Sequence, residues 1–469
     1  MENEPDTFAQ NTPEGNSPFL TDKGALQPEF VAEVLQLIEG EDAPALIELI
    51  DPMHESELGD LLEALGPEPR ASLVRLTGDQ FDFSSLTEVD EAVRLEVVNA
   101  IPNEVIADAV QDLDSDDAVF ILEDMEASDQ EEILARLPSK ERTQLRRSLD
   151  YPEETAGRRM QTEFIAVPPF WSVGQTIDFM RDNQDLPDRF HEIFVVDPSY
   201  KLVGYVSLDK ILRTKRKVKI EEIKERNIHP INVLEDQEDA AYVFEQYDLV
   251  SAAVVDEAHR LVGVLTIDDV VDVIQREADE DIKRLAGVGD EELSDSVFEI
   301  TRSRFAWLFI NLVTAILASI VIGLYDGTIQ EMVALAILMP IVASMGGNAG
   351  TQSMTVTVRA LAMKDIDKYN VWRTIRRETL VGLINGVVFA VLIGAVAAVW
   401  FDNRSLGMII GFAMVFNMFC ASLSGVLIPI ALEKLDADPA IASSVFVTTV
   451  TDVVGFFAFL GLAAWWFGI

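Results

Sequence analysis

The stretch that most limits what this chain can fold into is its last apolar run, Ala440 to Phe467, which reads AIASSVFVTTVTDVVGFFAFLGLAAWWF. About 20 apolar residues cross a bilayer as a helix, so the run predicts a membrane span. Its single charged residue is Asp452. At about 1.5 Å of rise per residue, Asp452 falls roughly 17 Å along that helix, near the middle of the hydrocarbon. A lone carboxylate there costs about 3 kcal/mol, which makes it a functional-site candidate by default.

Four more apolar runs precede it, at about 305–325, 332–358, 379–400 and 406–432. The chain as a whole has 80 acids against 36 bases and a net charge of −44. Charge and apolar mass are therefore segregated: from Phe305 onward there are about 10 acids and 8 bases, and before it about 70 and 28. An acidic soluble region is followed by a nearly neutral membrane region. Such acidity excludes a nucleic-acid partner, because phosphate binding needs basic surface. The acids read either as solvated surface or as a sink for hard cations. One cysteine, Cys420, and four scattered histidines leave no disulfide framework, thiolate site or zinc pattern. The polar start MENEPDTFAQ is unlike a signal peptide. No nucleophile–base constellation or phosphate-cradling glycine loop is present, so no enzyme is expected.

In chain order, residues 1–25 read as a disordered lead and 26–150 as a helical N-domain of short amphipathic segments punctuated by proline and acids. Residues 151–274 contain an internal repeat: IFVVDPSYKLVGYVSLDKIL (193–212) aligns with AAVVDEAHRLVGVLTIDDVV (252–271) at an offset of 59. Each copy reads strand, turn, strand and acid-capped helix, with a further strand upstream. The tandem resembles a pair of cystathionine-β-synthase (CBS) modules, which bind adenosine nucleotides or act as regulatory hinges. Residues 275–303 form a charged connecting helix, and 304–469 a membrane domain of five helices. The basic loop from Arg359 to Arg377 puts that loop and the N-terminal domains in the cytoplasm and the C-terminus outside.

Within the second apolar run, Pro340 and the stretch Ser344-Met345-Gly346-Gly347-Asn348-Ala349-Gly350-Thr351-Gln352-Ser353 predict a weakened, broken helix with polar groups at membrane depth. Such backbone lines a water-filled cavity or is buried in protein; close small-residue packing between helices is the competing reading. Gly346, Gly347, Asn348, Gly350, Thr351 and, in the last run, Thr448 are the candidate pore-lining residues. Asp452 reads as a site for a hydrated divalent cation, with a threonine hydrogen bond or a proton relay as alternatives. Mg²⁺ keeps most of its waters and accepts one or two carboxylates, so a sparse site suits it. A symmetric dimer would bring two copies of Asp452 to one axis. Asp438, before Pro439, reads as a helix cap, an ion-mouth ligand, or both.

The segments MPIVASMGGNAGTQSMTVTVRALA (339–362) and DPAIASSVFVTTVTDVVGFF (438–457) resemble signatures of the MgtE family of magnesium channels, and YPEETAGRRM (151–160), SDDAVFILEDM (115–125) and RFAWLFINL (304–312) follow the family's order. The resemblance implies a homodimeric Mg²⁺-selective influx channel with a helical N-domain, a CBS pair, a connecting plug helix and five membrane helices. It implies that the acid at Asp452 holds Mg²⁺ in the pore. It also implies that cytosolic acids, here Asp116 or Asp117, Asp236, Glu238, Asp248, Asp269, Asp272, Glu277, Glu280, Asp281 and Asp438, bind Mg²⁺ and close the gate. Some members bind ATP at the CBS pair, which would involve the surroundings of Arg213, Asp236 and Tyr247. Where the family has a glutamate near the outer end of its first membrane helix, this chain has Asp326. A proton- or Na⁺-coupled transporter is the alternative function.

Overall fold

The computed structural model describes residues 19–21, 24–183, 186–187, 189–289, 297–367, 369–435 and 437–468. Most of the expected lead and part of the expected connector lie outside the described residues. The chain divides into two compact units, residues 1–275 and 276–469.

In the first unit, residues 28–149 form a succession of short helices from Pro28–Glu39 to Ser139–Leu149. Their starts are set locally. Pro44 and Pro67 occupy first turns, Asp42 accepts the Ala45 N–H at 3.3 Å, and His54 and Glu57 form a reciprocal capping box. Their apolar faces close one core in which Leu46, Leu61, Leu62, Leu73, Leu86, Val97, Val119, Leu122 and Ile133 are wholly shielded. The buried Arg94 is matched by an ion pair to Asp124 and by the Phe120 ring 4.3 Å away. Helix α1 (Ser115–Glu123) fastens this core to the repeat at both of its ends. Ser115 Oγ donates to Glu163 at 2.7 Å and accepts from the Thr162 N–H at 2.7 Å, while Arg159 donates to Glu123 at 2.7 Å.

The repeat folds as two three-stranded sheets, β1 (Ala166–Val167), β2 (Glu192–Val196) and β3 (Leu202–Ser207), then β4 (Ile231–Asn232), β5 (Ser251–Val255) and β6 (Leu261–Thr266). In each, the first pair is parallel and the second antiparallel. The register slips at Val195/Val196 and again at Val254/Val255, positions related by the repeat offset. Tyr200 and His259, related in the same way, turn through φ of 65° and 56°. Their carbonyls accept the N–H of Leu261 and Leu202 at 3.0 and 3.2 Å, so each copy clasps the other. Helices α2 (Gln237–Tyr247) and α3 (Ile267–Leu285) complete the second copy. The connector does not begin as a new element at 275, because α3 runs on past it.

The second unit contains α4 (Val297–Gly323), α5 (Asp326–Glu331), α6 (Ala334–Ala362), α7 (Val371–Trp400), α8 (Arg404–Glu433) and α9 (Pro439–Phe467). All but α5 are long and apolar enough to cross a membrane. The most enclosed is α8, which packs on α6, α7 and α9. The break expected around Gly346–Gly350 is absent: α6 is one continuous helix through Pro340 and its glycines. These glycines serve close approach instead. A Cβ on Gly346 would stand 2.2 Å from Asn417 Nδ2, and one on Gly350 2.6 Å from Val447 Cγ1. A Cβ on Gly425 of α8 would stand 2.5 Å from the Gly350 carbonyl oxygen. Small residues let membrane helices meet backbone to backbone.

Because that last neighbour is backbone and cannot rotate away, Gly425→Ala should lower stability by about 1–3 kcal/mol. Thermal unfolding in detergent measures it. Gly347→Ala, with nothing within 4 Å of its Cβ position, should not lower the melting temperature and should raise it slightly, because alanine is the better helix former.

Candidate functional site

Helix α1 begins with Asp116 and Asp117, and packing through Ser115 and Glu123 turns both half-buried carboxylates toward Asp269, in the first turn of α3. Thr266 donates to Asp269 at 2.5 Å and fixes its orientation. Burial, and then the Asp269 charge, push Asp117 up to about 7; burial and Asp269 raise Asp116 well above the ordinary carboxylate range. Burial raises Asp269 to about 6, against the Thr266 hydrogen bond. Asp114, Glu55 and Glu88 add negative potential at Asp117, and Asp272 adds it at Glu88. One oxygen of Asp116, Oδ1, is buried with no hydrogen-bond partner among the described residues. This is a concentration of charge that a divalent cation would relieve. Among the described residues, no three carboxylates converge tightly enough to hold a bare ion, which leaves room for one that retains water.

The other cytosolic candidates separate. Asp236 caps α2, accepting the Glu238 N–H at 2.8 Å, and both are exposed at the helix start. Asp248 ends the same helix in the left-handed region, φ 53°. The 11-residue α2 puts about 16 Å between its ends, so Asp248 does not join Asp236 and Glu238 within the chain. Glu277, Glu280 and Asp281 lie on the last turns of α3, where burial, and then Asp438 and Glu277, raise Asp281 to about 6. Asp438 fills two roles: its Oδ1 accepts the Ala440 N–H at 2.7 Å as the cap of α9, and its Oδ2 accepts from Arg284 at 2.7 Å. Glu55 and Glu88 went unsignalled in the sequence because folding alone brings them to α1, whereas Asp114 adjoins it as the residue before Ser115. Their only local sign is membership of an acid-rich region.

In α9, Asp452 is half-buried. The neighbouring threonines use their hydroxyls on their own helix: Thr448 donates to Ser444 O at 2.8 Å, Thr449 to Val445 O at 2.6 Å and Thr451 to Thr448 O at 2.9 Å. No hydrogen-bond or ion-pair partner reaches Asp452 among the described residues. The threonine-bonded alternative is therefore not what the helix adopts. The six pore-lining candidates divide. Gly346 and Gly350 are buried against α8 and α9, while Asn348, Thr351 and Thr448 are exposed and Gly347 is half-exposed. Ser344, Asn348, Thr351, Gln352 and Thr355 make an exposed polar stripe along α6. A further acid passed unnoticed in the sequence, Glu378 of α7, buried and accepting from Ser353 Oγ at 3.3 Å.

Comparison with known proteins adds three matches to this geometry. A family model described as MgtE, divalent cation transporter, matches residues 339–462; the MgtE intracellular N domain matches 53–154; and the CBS domain matches 156–217 and 220–276. The magnesium transporter MgtE of Bacillus subtilis is 30% identical over 437 residues, covering 93% of this chain and 97% of that protein. That of Enterococcus faecalis is 35% identical over 325 residues, covering 69% and 72%. A solved structure described as the cytosolic domain of the Mg²⁺ channel MgtE in complex with ATP is 25% identical and covers 52% of this chain and 99% of its own, with a TM-score of 0.48.

The carboxylates around Asp269 set a pH dependence with a definite sign. A carboxyl whose folded value lies above its ordinary 3.8 favours folding only while protonated. That stability is complete below about pH 4 and is lost as pH rises through 6 to 7. In EDTA, protease protection of the 115–123 helix should fall between pH 5 and pH 8, and millimolar Mg²⁺ at pH 8 should restore it. Asp117→Asn should flatten both responses.

Proposed function

Since the chain belongs to the MgtE family of divalent cation transporters, we propose that it is a Mg²⁺-selective channel for magnesium influx, closed when Mg²⁺ occupies its acidic cytosolic domains. The observation that carries this reading is Asp452, an acid in the middle of an apolar helix with no partner to neutralise it among the described residues. A hydrated Mg²⁺ needs no more than one or two carboxylates and supplies the missing charge.

The stripe Ser344–Thr355 supports a homodimer. Polar groups at membrane depth belong against protein or a water-filled cavity. A second copy facing the stripe would bring two Asp452 residues to a shared axis, with a charge of about −2. Gly347, Asn348, Thr351 and Thr448 would line the path, while Gly346 and Gly350 hold α6 close to its neighbours. The basic segment with Arg359, Lys364, Arg373, Arg376 and Arg377 supports a cytoplasmic loop there, which would put the N-terminal domains in the cytoplasm and the C-terminus outside the cell membrane.

Closure follows from charge. At 4 Å and an effective dielectric constant near 20, a like-charge pair costs about 4 kcal/mol. Opposed acids such as Asp116, Asp117 and Asp269 part when bare and approach when a divalent ion lies between them. A ligand shifts such an equilibrium only by its differential affinity for the two states. Asp236, Glu238, Asp248, Asp272, Glu277, Glu280, Asp281 and Asp438 would contribute in the same way, Asp248 by meeting acids outside its own chain. Nucleotide binding at the CBS pair would fall on the open cleft of about 170 Å³ lined by Glu192, Phe194, Tyr205, Glu225, His229 and Tyr247. Of the three residues first associated with ATP, Tyr247 lines this cleft, whereas Arg213 pairs loosely with Asp209 at 3.9 Å and Asp236 caps α2.

Asp452→Ala should reduce Mg²⁺ uptake into proteoliposomes to about a tenth or less, since the unpartnered acid is its one charged ligand. Uptake that survives the substitution would remove the site; uptake that needs a proton or Na⁺ gradient would favour a coupled transporter. Asp117→Asn combined with Asp269→Asn should leave currents flowing at millimolar cytosolic Mg²⁺ that silence the parent channel. Burial, and then the charge of Glu225, push Glu192 up to about 7, so the cleft gains a further negative charge above that pH. Glu192→Gln should accordingly tighten ATP binding at pH 8, as calorimetry would read.

A further inference from the structure

The end of α3 is already docked in the second unit by a cation that belongs to the chain. Arg284 Nη1 donates to Asp438 Oδ2 at 2.7 Å, and the same guanidinium pairs with Glu280 one turn earlier. All three side chains are largely withdrawn from water, at 28% exposure for Arg284, 28% for Asp438 and 19% for Glu280. The next residue, Leu285, packs against Met354, Val358, Ala440 and Val447, from α6 and α9. One ionic and one apolar contact therefore seat the connector on the cap of the helix that carries Asp452. Asp281 lies on the same turns of α3, close enough to Asp438 and Glu277 to feel their charges.

We propose that Arg284 is a positioning residue for the gate, a tethered cation that holds the connector on Asp438 when no divalent ion is present. The inference rests on the channel reading for its consequence, but the contact itself does not. A guanidinium is always charged and presents separate nitrogens to Glu280 and Asp438, a planar fork that a lysine ammonium on its flexible stem matches less well. It cannot dissociate as Mg²⁺ does. The docked state is thereby partly populated before Mg²⁺ arrives, and Mg²⁺ shifts the balance further toward it. Without Arg284, docking would depend on Mg²⁺ alone.

The test is hydrogen exchange of residues 280–286 in the full-length protein in lipid nanodiscs, first in EDTA and then in Mg²⁺. Arg284→Gln should accelerate exchange about tenfold in EDTA, because removing one partner of a half-buried pair leaves the others uncompensated, and millimolar Mg²⁺ should restore protection. Arg284→Lys should fall between the two. Asp438→Asn keeps an acceptor for the Ala440 N–H but removes the charge, so adding Arg284→Gln to it should produce little further change. Raising the salt concentration should weaken the parent's protection in EDTA but not that of Arg284→Gln. Equal exchange in the parent and Arg284→Gln, or additive effects of the two substitutions, would overturn the proposal. The EDTA measurement does not depend on conduction. Absent Mg²⁺ uptake alongside intact Arg284-dependent protection would reject the channel reading while sparing the latch.

Discussion

Where α1 presents Asp116 and Asp117 to Asp269, the packing that joins two domains and the charge that parts them act across the same few ångströms. Ser115 with Glu163 and Thr162, and Glu123 with Arg159, hold the helix against the repeat. Between these fastenings burial, and then the Asp269 charge, raises the proton affinity of Asp116 and Asp117, and burial raises that of Asp269. A contact balanced in this way answers to whatever supplies positive charge, whether protons at low pH or a divalent ion near neutrality. A surface of scattered acids would not respond so sharply, because water and salt would screen each one separately.

Asp269 and Asp272 stand near the start of α3, and Arg284 and Leu285 at its end. The acid-rich contact and the connector's seat are therefore borne by one continuous helix. Its continuity comes from the lack of any breaker between Ile267 and Leu285 and from Val270 and Val273, which bury its first turns in the second CBS copy. The repeat gives that copy a firm base, since the clasp through Tyr200 and His259 ties each sheet to the other.

Much of this architecture was legible in the sequence, for identifiable reasons. A 59-residue offset carries even fine features, because the same turn must pass through positive φ at Tyr200 and His259. Asp438-Pro439 announced a helix start, and the cap formed. The apolar runs became helices, extended by a turn or more where polar ends such as Val371–Arg377 continue the helical pattern. The glycines of α6 misled for a physical reason. A glycine's intrinsic effect on a helix is a local property, whereas its use depends on how near another helix comes, and Asn417, Val447 and Gly425 lie about 70 to 100 residues away in sequence. The partners of a buried acid are hidden in the same way, as with Glu88 beside Asp272 or Arg284 on Asp438. Among the acids matched to the family, Asp236 and Asp248 stand at opposite ends of α2.

Asp438 and Asp452 sit on the same helix and show why chemically identical groups take different work. Asp438 has a backbone N–H on one oxygen and a guanidinium on the other, so its charge is met by groups that cannot leave. Such a carboxylate is suited to holding a position. Asp452 has no partner among the described residues, and its threonine neighbours have turned their hydroxyls to the backbone. A fixed base beside it would neutralise it permanently and exclude a passing cation. In the proposed channel, an acid left unpaired at membrane depth would favour a hydrated cation that reaches it, and the lack of a cage of further ligands would let that cation go. Conduction needs both properties, because an ion must bind well enough to enter and loosely enough to depart. On that reading, the absence of a partner for Asp452 among the described residues would be as much a part of the site as the carboxylate.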